Sequence, residues 1–236
     1  MRRALPFAII GAVLVLAAGG GLLLFRAKYS STPIKIAAGK PGGEPSHLRG
    51  SAQARVTLEE FGDFQCMPCG ILAATLLKVE HDYATSVRVI FRHFPLSNHA
   101  HAFTAACAAE AAGLQGRFWE MHDLLFQNAR HWSKGDPLPF FAGYAATLGL
   151  DVERFKKDME SEQVKTRIRQ DQERGVSIAV DRTPTLFLNG VQVPFTSLDA
   201  ADLRRTIDAE LSGGAPTPVP PGPGSNLQTP TPGPPK

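Results

Sequence analysis

Cys66 and Cys69 stand three positions apart in a chain of 236 residues that holds three cysteines. Three cysteines cannot close a disulfide framework, and a loop this short constrains an unfolded chain very little, so the pair is expected to react rather than to staple. Where a C-x-x-C pair opens a helix, the unpaired N–H groups of the first turn and the helix macrodipole favour a thiolate on the first cysteine. Cys66 is therefore expected to attack a disulfide, or to be the sulfur attacked when the pair is oxidised. Cys69, one turn further on, would resolve the mixed disulfide. No cofactor is expected.

The flanking sequence supplies elements that could position this pair. Pro68 suits the first turn of a helix, and Ile71, Leu72, Leu76 and Val79 continue an apolar stripe at helical spacing. Val56 to Phe64 and Val87 to Phe91 read as strands on either side, which together with the helix suggests a parallel βαβ unit. Glu60 shares a strand face with Val56 and Leu58, an inward face on which a carboxyl would have a raised pKa and could shuttle the Cys69 proton. The alternative is an exposed Glu60 near a strand end. Thr183-Pro184 precedes a late strand; if the proline is cis and lies against the Cys66 sulfur, it blocks metal binding there and leaves the Thr183 backbone to pair with an extended substrate. An ordinary trans proline is the competing reading. Phe64 and Met67 flank the pair and are candidate exposed apolar contacts for substrate.

The rest of the body is mostly helical. Apolar periods cover Ala100 to Ala112, Phe118 to Phe126, Phe140 to Leu148 and Val164 to Val180, a helical insertion at about 97–176. Asn189-Gly190 between Thr185–Leu188 and Val191–Val193 is a strong hairpin signal, and Leu198 to Leu211 reads as a closing helix. At the N-terminus, Arg2 and Arg3 precede an uncharged, mainly apolar run from Ala4 to Phe25, long enough to span a bilayer. Residues 1–28 are read as a membrane anchor, with a cleaved signal peptide as the alternative. Residues 29–50 read as a flexible linker, 51–212 as the folded domain, and the Pro-rich stretch 213–236 as a disordered tail. The formal charge is +3. Met1 to Arg55 accounts for +7 of it, with eight Lys or Arg against one acid, leaving −4 for the body. No basic stripe for nucleic acid is present in that body.

The order of these features resembles the DsbA-like thioredoxin family: a strand carrying Glu60, Cys66-Met67-Pro68-Cys69 opening a helix, inserted helices, and Thr183-Pro184-Thr185 before a hairpin. Supporting segments are Phe61-Gly62-Asp63-Phe64-Gln65-Cys66, Phe91-Arg92-His93-Phe94-Pro95-Leu96 and Gly116-Arg117-Phe118-Trp119-Glu120-Met121-His122. The resemblance implies an α/β thioredoxin-like fold with an inserted helical subdomain, Cys66 as exposed attacking cysteine, Cys69 as buried resolving cysteine and Pro184 as the cis-proline beside them. The chain departs from the family between the cysteines, where a proline followed by histidine or an aromatic is common. Met67-Pro68 offers the thiolate neither a charge nor a side-chain N–H, so the direction of electron flow stays open.

Other features have plainer readings. Cys107 lies among alanines and reads as a small buried packing residue, with a regulatory thiol as the alternative. His93, His99 and His101 are close in sequence, yet the zinc spacings that would join them to the cysteine pair are absent, and no metal site is expected. Phe118, Trp119 and Trp132 read as packing. The expected function is an extracytoplasmic thiol-disulfide oxidoreductase at the cell membrane. Its first form is an oxidase of exported proteins bearing thiols, reoxidised by a membrane quinone-linked partner. A reductase or isomerase is the alternative, and a non-catalytic envelope chaperone or scaffold is a third.

Overall fold

The computed structural model describes residues 39–213. The expected anchor lies outside the described residues, as does the tail beyond Gly213. Among the described residues no helix is long and apolar enough to cross a membrane.

Five strands form one mixed sheet in the order β1-β3-β2-β4-β5. Central strand β2 (Val56–Gly62) runs parallel to β3 (Val87–His93), with helix α1 (Met67–Asp82) between them in sequence. On its other side β2 pairs antiparallel with β4 (Thr185–Leu188), and β4 turns back into β5 (Val191–Val193). Asn189 and Gly190 make that turn at φ 47° and 80°, the left-handed conformations a two-residue hairpin requires. The last helix, Ala200–Leu211, is capped by the Asp199 carboxylate, which accepts from the N–H groups of Ala201 and Asp202.

Between β3 and β4 come six helices: α2 (Ala102–Gly113), α3 (Phe118–Gln127), α4 (Ala129–Trp132), α5 (Leu138–Thr147), α6 (Val152–Met159) and α7 (Glu162–Ser177). The alanines of α2 are buried nearly all round, and with no bulk beyond Cβ they let the surrounding helices close on it. Phe118, Met121, Leu125, Trp132, Phe141 and Phe155 fill the space around it. A second apolar cluster lies on one face of the sheet, where Val56, Leu58, Val87 and Val89 meet Leu72, Leu76 and Val79 of α1 and Leu203 and Ile207 of the closing helix, α8. On the opposite face Phe61, Phe94, Ile178, Val180 and Phe187 form a third.

The α/β thioredoxin-like fold with a helical insertion is thus present, with several local differences from expectation. Residues 39–50, expected as linker, belong to the folded body. His47–Gly50 form edge strand β1, antiparallel to β3, and the Gly43 N–H donates to the buried Asp171 carboxylate at 2.8 Å. Their partners lie 38 or more residues away, so no local apolar period marks them. Helix α6 is short and strongly amphipathic, held by the Asp151 carboxylate accepting from Arg154 N–H. The expected helix to Val180 stops at Ser177, because Ala179 turns to φ 60°.

Helix α7 comes close to the sheet through Gly175. A Cβ there would sit 2.7 Å from Phe94 Cε2 and 3.1 Å from Phe61 Cδ1. Gly175→Ala should lose about 1–3 kcal/mol of stability in a denaturant titration. Gly143 in α5 has open space around it, and Gly143→Ala should gain about 0.5–1 kcal/mol in the same measurement.

Candidate active site

Cys66 caps the N-terminus of α1 with extended backbone angles, and its carbonyl accepts from the N–H groups of Cys69 at 3.1 Å and Gly70 at 3.3 Å. Pro68 occupies the first turn, where its missing N–H leaves no gap. The three cysteines are unbonded thiols. Cys66 is expected to be exposed, yet it is only 7% exposed, because the loop before β4 closes over it; Cys69 is wholly buried. The Cys66 thiol donates to the Thr183 carbonyl at 3.4 Å, and the peptide bond from Thr183 to Pro184 is cis.

The two sulfurs have opposed acidities. The Cys66 pKa is lowered to about 6, chiefly because the Cys69 thiol donates to it, with burial opposing. The Thr183 side chain and the Cys69 backbone N–H favour the thiolate as well, while the charge of Asp63 disfavours it. Cys69 is pushed well above its ordinary value by burial first, then by its hydrogen bond to Cys66 and by the charge of Glu60. This split makes Cys66 the nucleophile and leaves Cys69 a proton-requiring partner.

Glu60 projects from β2 on the face shared by Val56 and Leu58 and is buried. Its carboxyl is raised to about 8 by burial first and by the nearby Cys66 charge second; Arg49 opposes and Glu80 adds to the effect. Glu60 Oε1 has no hydrogen-bond partner among the described residues. Arg49, on β1, pairs with Glu80 at 2.8 Å and Asp123 at 3.0 Å and lies 4.3 Å from the Trp119 ring centroid. Sequence reasoning missed Arg49 and Glu80, since neither lies in a motif and only the pairing of β1 brings Arg49 to this face.

Two expectations about neighbouring side chains fare differently. Met67 is 70% exposed and lies with Ile71 along a groove of about 870 Å³ that also reaches Cys66, Gly70, Phe126 and Arg130. Phe64 is not a surface contact: it is 1% exposed, with its ring centroid 4.8 Å from Phe126 and 5.3 Å from Phe91. The chain turns Phe64 into the helical core because Asp63 and Gln65 on either side are tied down. Asp63 accepts from Gln65 N–H, Leu96 N–H and His99 Nδ1, and Gln65 accepts from His101 N–H.

The histidines named from the sequence do not converge on the cysteines. His93 pairs with Glu110, and His99 with Asp63. Among the described residues one group could offer three metal ligands, His47, His93 and Glu110, but Arg167 Nε lies 2.8 Å from Glu110 and 3.1 Å from His47 Nε2, already supplying the cation. Cys107 is buried among helices and its thiol is pushed up to about 12 by burial, which fits a packing residue.

Two measurements follow from these acidities. Iodoacetamide labelling of the reduced protein, read by mass spectrometry, should modify Cys66 with a midpoint near pH 6 and spare Cys69 and Cys107. Because the folded Glu60 carboxyl titrates at about 8 against 4.5 ordinarily, its neutral form favours folding. The associated stability is complete below the ordinary value and is lost as pH rises through about 8. Thermal unfolding of the reduced Glu60→Gln protein should therefore match the parent near pH 4.5 and exceed it at pH 8, by on the order of a few kcal/mol.

Comparisons with known proteins agree with this geometry. The family profile described as thioredoxin matches residues 43–209. The oxidised BdbD structure from Bacillus subtilis superposes with a TM-score of 0.66 at 22% identity, covering 76% of this chain and 100% of that one. Pseudomonas aeruginosa DsbA2 gives 0.56 at 26% identity, covering 71% and 96%. A curated relative from Salinispora arenicola, named Na(+)/H(+) antiporter NhaA 1, is 41% identical over 145 residues, which are 61% of this chain and 22% of that longer protein. This chain thus spans under a quarter of that relative, and the antiport in its name belongs to the whole of it. The profile match over most of the chain makes it a member of the thioredoxin family, and its fold around the Cys66–Cys69 dithiol is similar to that of DsbA-like proteins.

Proposed function

We propose that the chain is an oxidase that transfers the Cys66–Cys69 disulfide to exported proteins folding outside the cytoplasm. The observation that carries this direction is the lowered Cys66 pKa, about 6 against an ordinary 9.0. Stabilising the thiolate stabilises the reduced enzyme, and an enzyme that is comfortable reduced gives its disulfide away readily.

In the oxidised state a substrate thiolate attacks the Cys66 sulfur, which is the less buried of the two. The Cys66–Cys69 bond breaks as the mixed disulfide forms, and the electron pair leaves on Cys69. A buried thiolate is a poor leaving group, and protonated Glu60 offers it a proton. A second substrate thiolate then attacks the substrate sulfur of the mixed disulfide and releases Cys66 as a thiolate. The substrate loses two electrons and two protons. A membrane quinone-linked partner, accepting the electrons, would restore the disulfide. The apolar run from Ala4 to Phe25 with its basic flanks supports tethering at the cell membrane with the catalytic domain outside.

Met67 and Ile71 offer an exposed apolar approach to Cys66, suited to the unfolded chains that still carry free thiols. The Thr183 backbone, beside the same sulfur, suits an extended segment of such a chain. Reduction or isomerisation is the second reading, favoured by the absence of a donor side chain in Met67-Pro68. Equilibration with glutathione buffers separates the two. A potential nearer to roughly −120 mV supports the oxidase, and one near roughly −270 mV overturns it. Cys66→Ala should abolish oxidative refolding of a reduced, unfolded protein; undiminished refolding would defeat the reading altogether.

A further inference from the structure

The dipeptide between the cysteines carries no group able to tune Cys66, so any charge that does so must come from outside the motif. Asp63 stands three residues before Cys66 and is 1% exposed. Its carbonyl accepts from the Cys66 N–H at 3.0 Å, which ties the two residues into one turn, and its charge disfavours the Cys66 thiolate. Asp63 Oδ1 accepts from Gln65 N–H at 2.7 Å; Oδ2 accepts from Leu96 N–H at 2.8 Å and lies 2.8 Å from His99 Nδ1. The two backbone partners cannot change charge. His99 can, and its side chain is 26% exposed while that of Asp63 is inaccessible.

We propose that His99, acting through Asp63, tunes the redox reactivity of Cys66. When the imidazole takes up a proton, the contact becomes an ion pair and Asp63 repels a thiolate less. When the proton leaves, the full Asp63 charge bears on Cys66. His99 is in this sense a positioning residue on the solvent side of a two-residue relay, performing for Met67-Pro68 the electrostatic task that the dipeptide cannot.

The surrounding charges leave this relay its own control. Glu60 acts on the dithiol from β2, on the face beneath α1. From α7, Asp171 is engaged by Arg92 and by the His93 N–H, and Gln172 reaches the Pro95 carbonyl. From α2, Glu110 is held by His47, His93 and Arg167, and at its start His101 contributes its backbone N–H to Gln65. The loop from Leu96 to His99 thus brings a solvent-accessible imidazole to Asp63, while the carboxylates of α2 and α7 are committed to other cations.

The inference rests on the dithiol assignment and not on the direction of electron flow. It is tested on the full chain with His99→Asn, whose side-chain amide can still donate to Asp63 but cannot take up a charge. The glutathione equilibrium constant and the Cys66 thiolate absorbance near 240 nm are followed from about pH 5 to 8, where histidines ordinarily titrate. At the acid end the His99→Asn protein should show less thiolate and a poorer oxidant, by about three- to tenfold in the equilibrium constant. At the alkaline end it should match the parent. Asp63→Asn should raise the thiolate fraction across the range, and adding His99→Asn to it should change nothing further. Identical pH profiles for the parent and His99→Asn would overturn the proposal and leave His99 a fastener of its loop. That outcome differs from failure of the dithiol reading, in which the parent itself would not exchange disulfides with glutathione.

Discussion

A sulfur that must carry negative charge is held at a site where it is 7% exposed, and the surrounding elements follow from that constraint. Burial alone would keep Cys66 protonated. The first turn of α1 reverses this by bringing the Cys69 thiol and the Cys69 backbone N–H to bear on one atom. The Thr183-Pro184 loop completes the enclosure, and the dry surroundings make each of these contacts stronger than it would be in water. The same burial prevails at Cys69, where only a backbone hydrogen bond from Asp63 opposes it, so two identical side chains one helical turn apart differ widely in acidity. That difference is the chemical content of the motif.

The sheet makes the enclosure rigid through its central strand, whose two glutamates do opposite things. Glu59, on the face away from α1, is lowered in pKa despite burial, because Arg174 and Arg92 grip it at 2.7–2.9 Å. Arg92 also reaches Asp171 of α7 and the Gly43 carbonyl, so one charge cluster ties β2, β3, the N-terminal segment and the insertion together. Removing one member of such a cluster leaves buried charge uncompensated, a cost typically of about 3–5 kcal/mol. Glu60, its neighbour on the other face, has no such partner and titrates near 8. Adjacent residues of one strand therefore divide into a structural ion pair and a chemical acid, and the alternation of a β-strand is what keeps them apart.

Much of this was legible in the sequence, for reasons that differ by element. The C-x-x-C pair, the Asn189-Gly190 hairpin and the inward side of Glu60 are local signals, set by helix ends, turn dihedrals and strand alternation. Phe64 departs from its expected exposure because its neighbours decide its direction: Asp63 and Gln65 are anchored by residues 33 or more positions away, which turns the ring inward. Strand β1 carries no alternation of its own. It exists because β3 needs a partner on its open edge, a requirement visible only once the strand order is known. The roles of Arg49, Glu80 and His99 are of the same non-local kind.

The placement of β1 bears on the chemistry as well as on the boundary of the domain. Arg49 stands in register with Val89 of β3, itself opposite Leu58 of β2, so its side chain belongs to the sheet face that carries Glu60. It is the cation that offsets Glu60, while Glu80, to which it is paired, pushes the other way. A stronger Arg49 effect would lower the Glu60 pKa and weaken it as a proton source for Cys69; without Arg49, burial and Glu80 would hold Glu60 neutral to higher pH. A domain beginning at Ser51 would lose this cation together with the partner of β3. The segment that composition alone assigns to a tether is thus part of the acid-base setting of the dithiol, and the folded unit and the reactive unit share the same N-terminal limit.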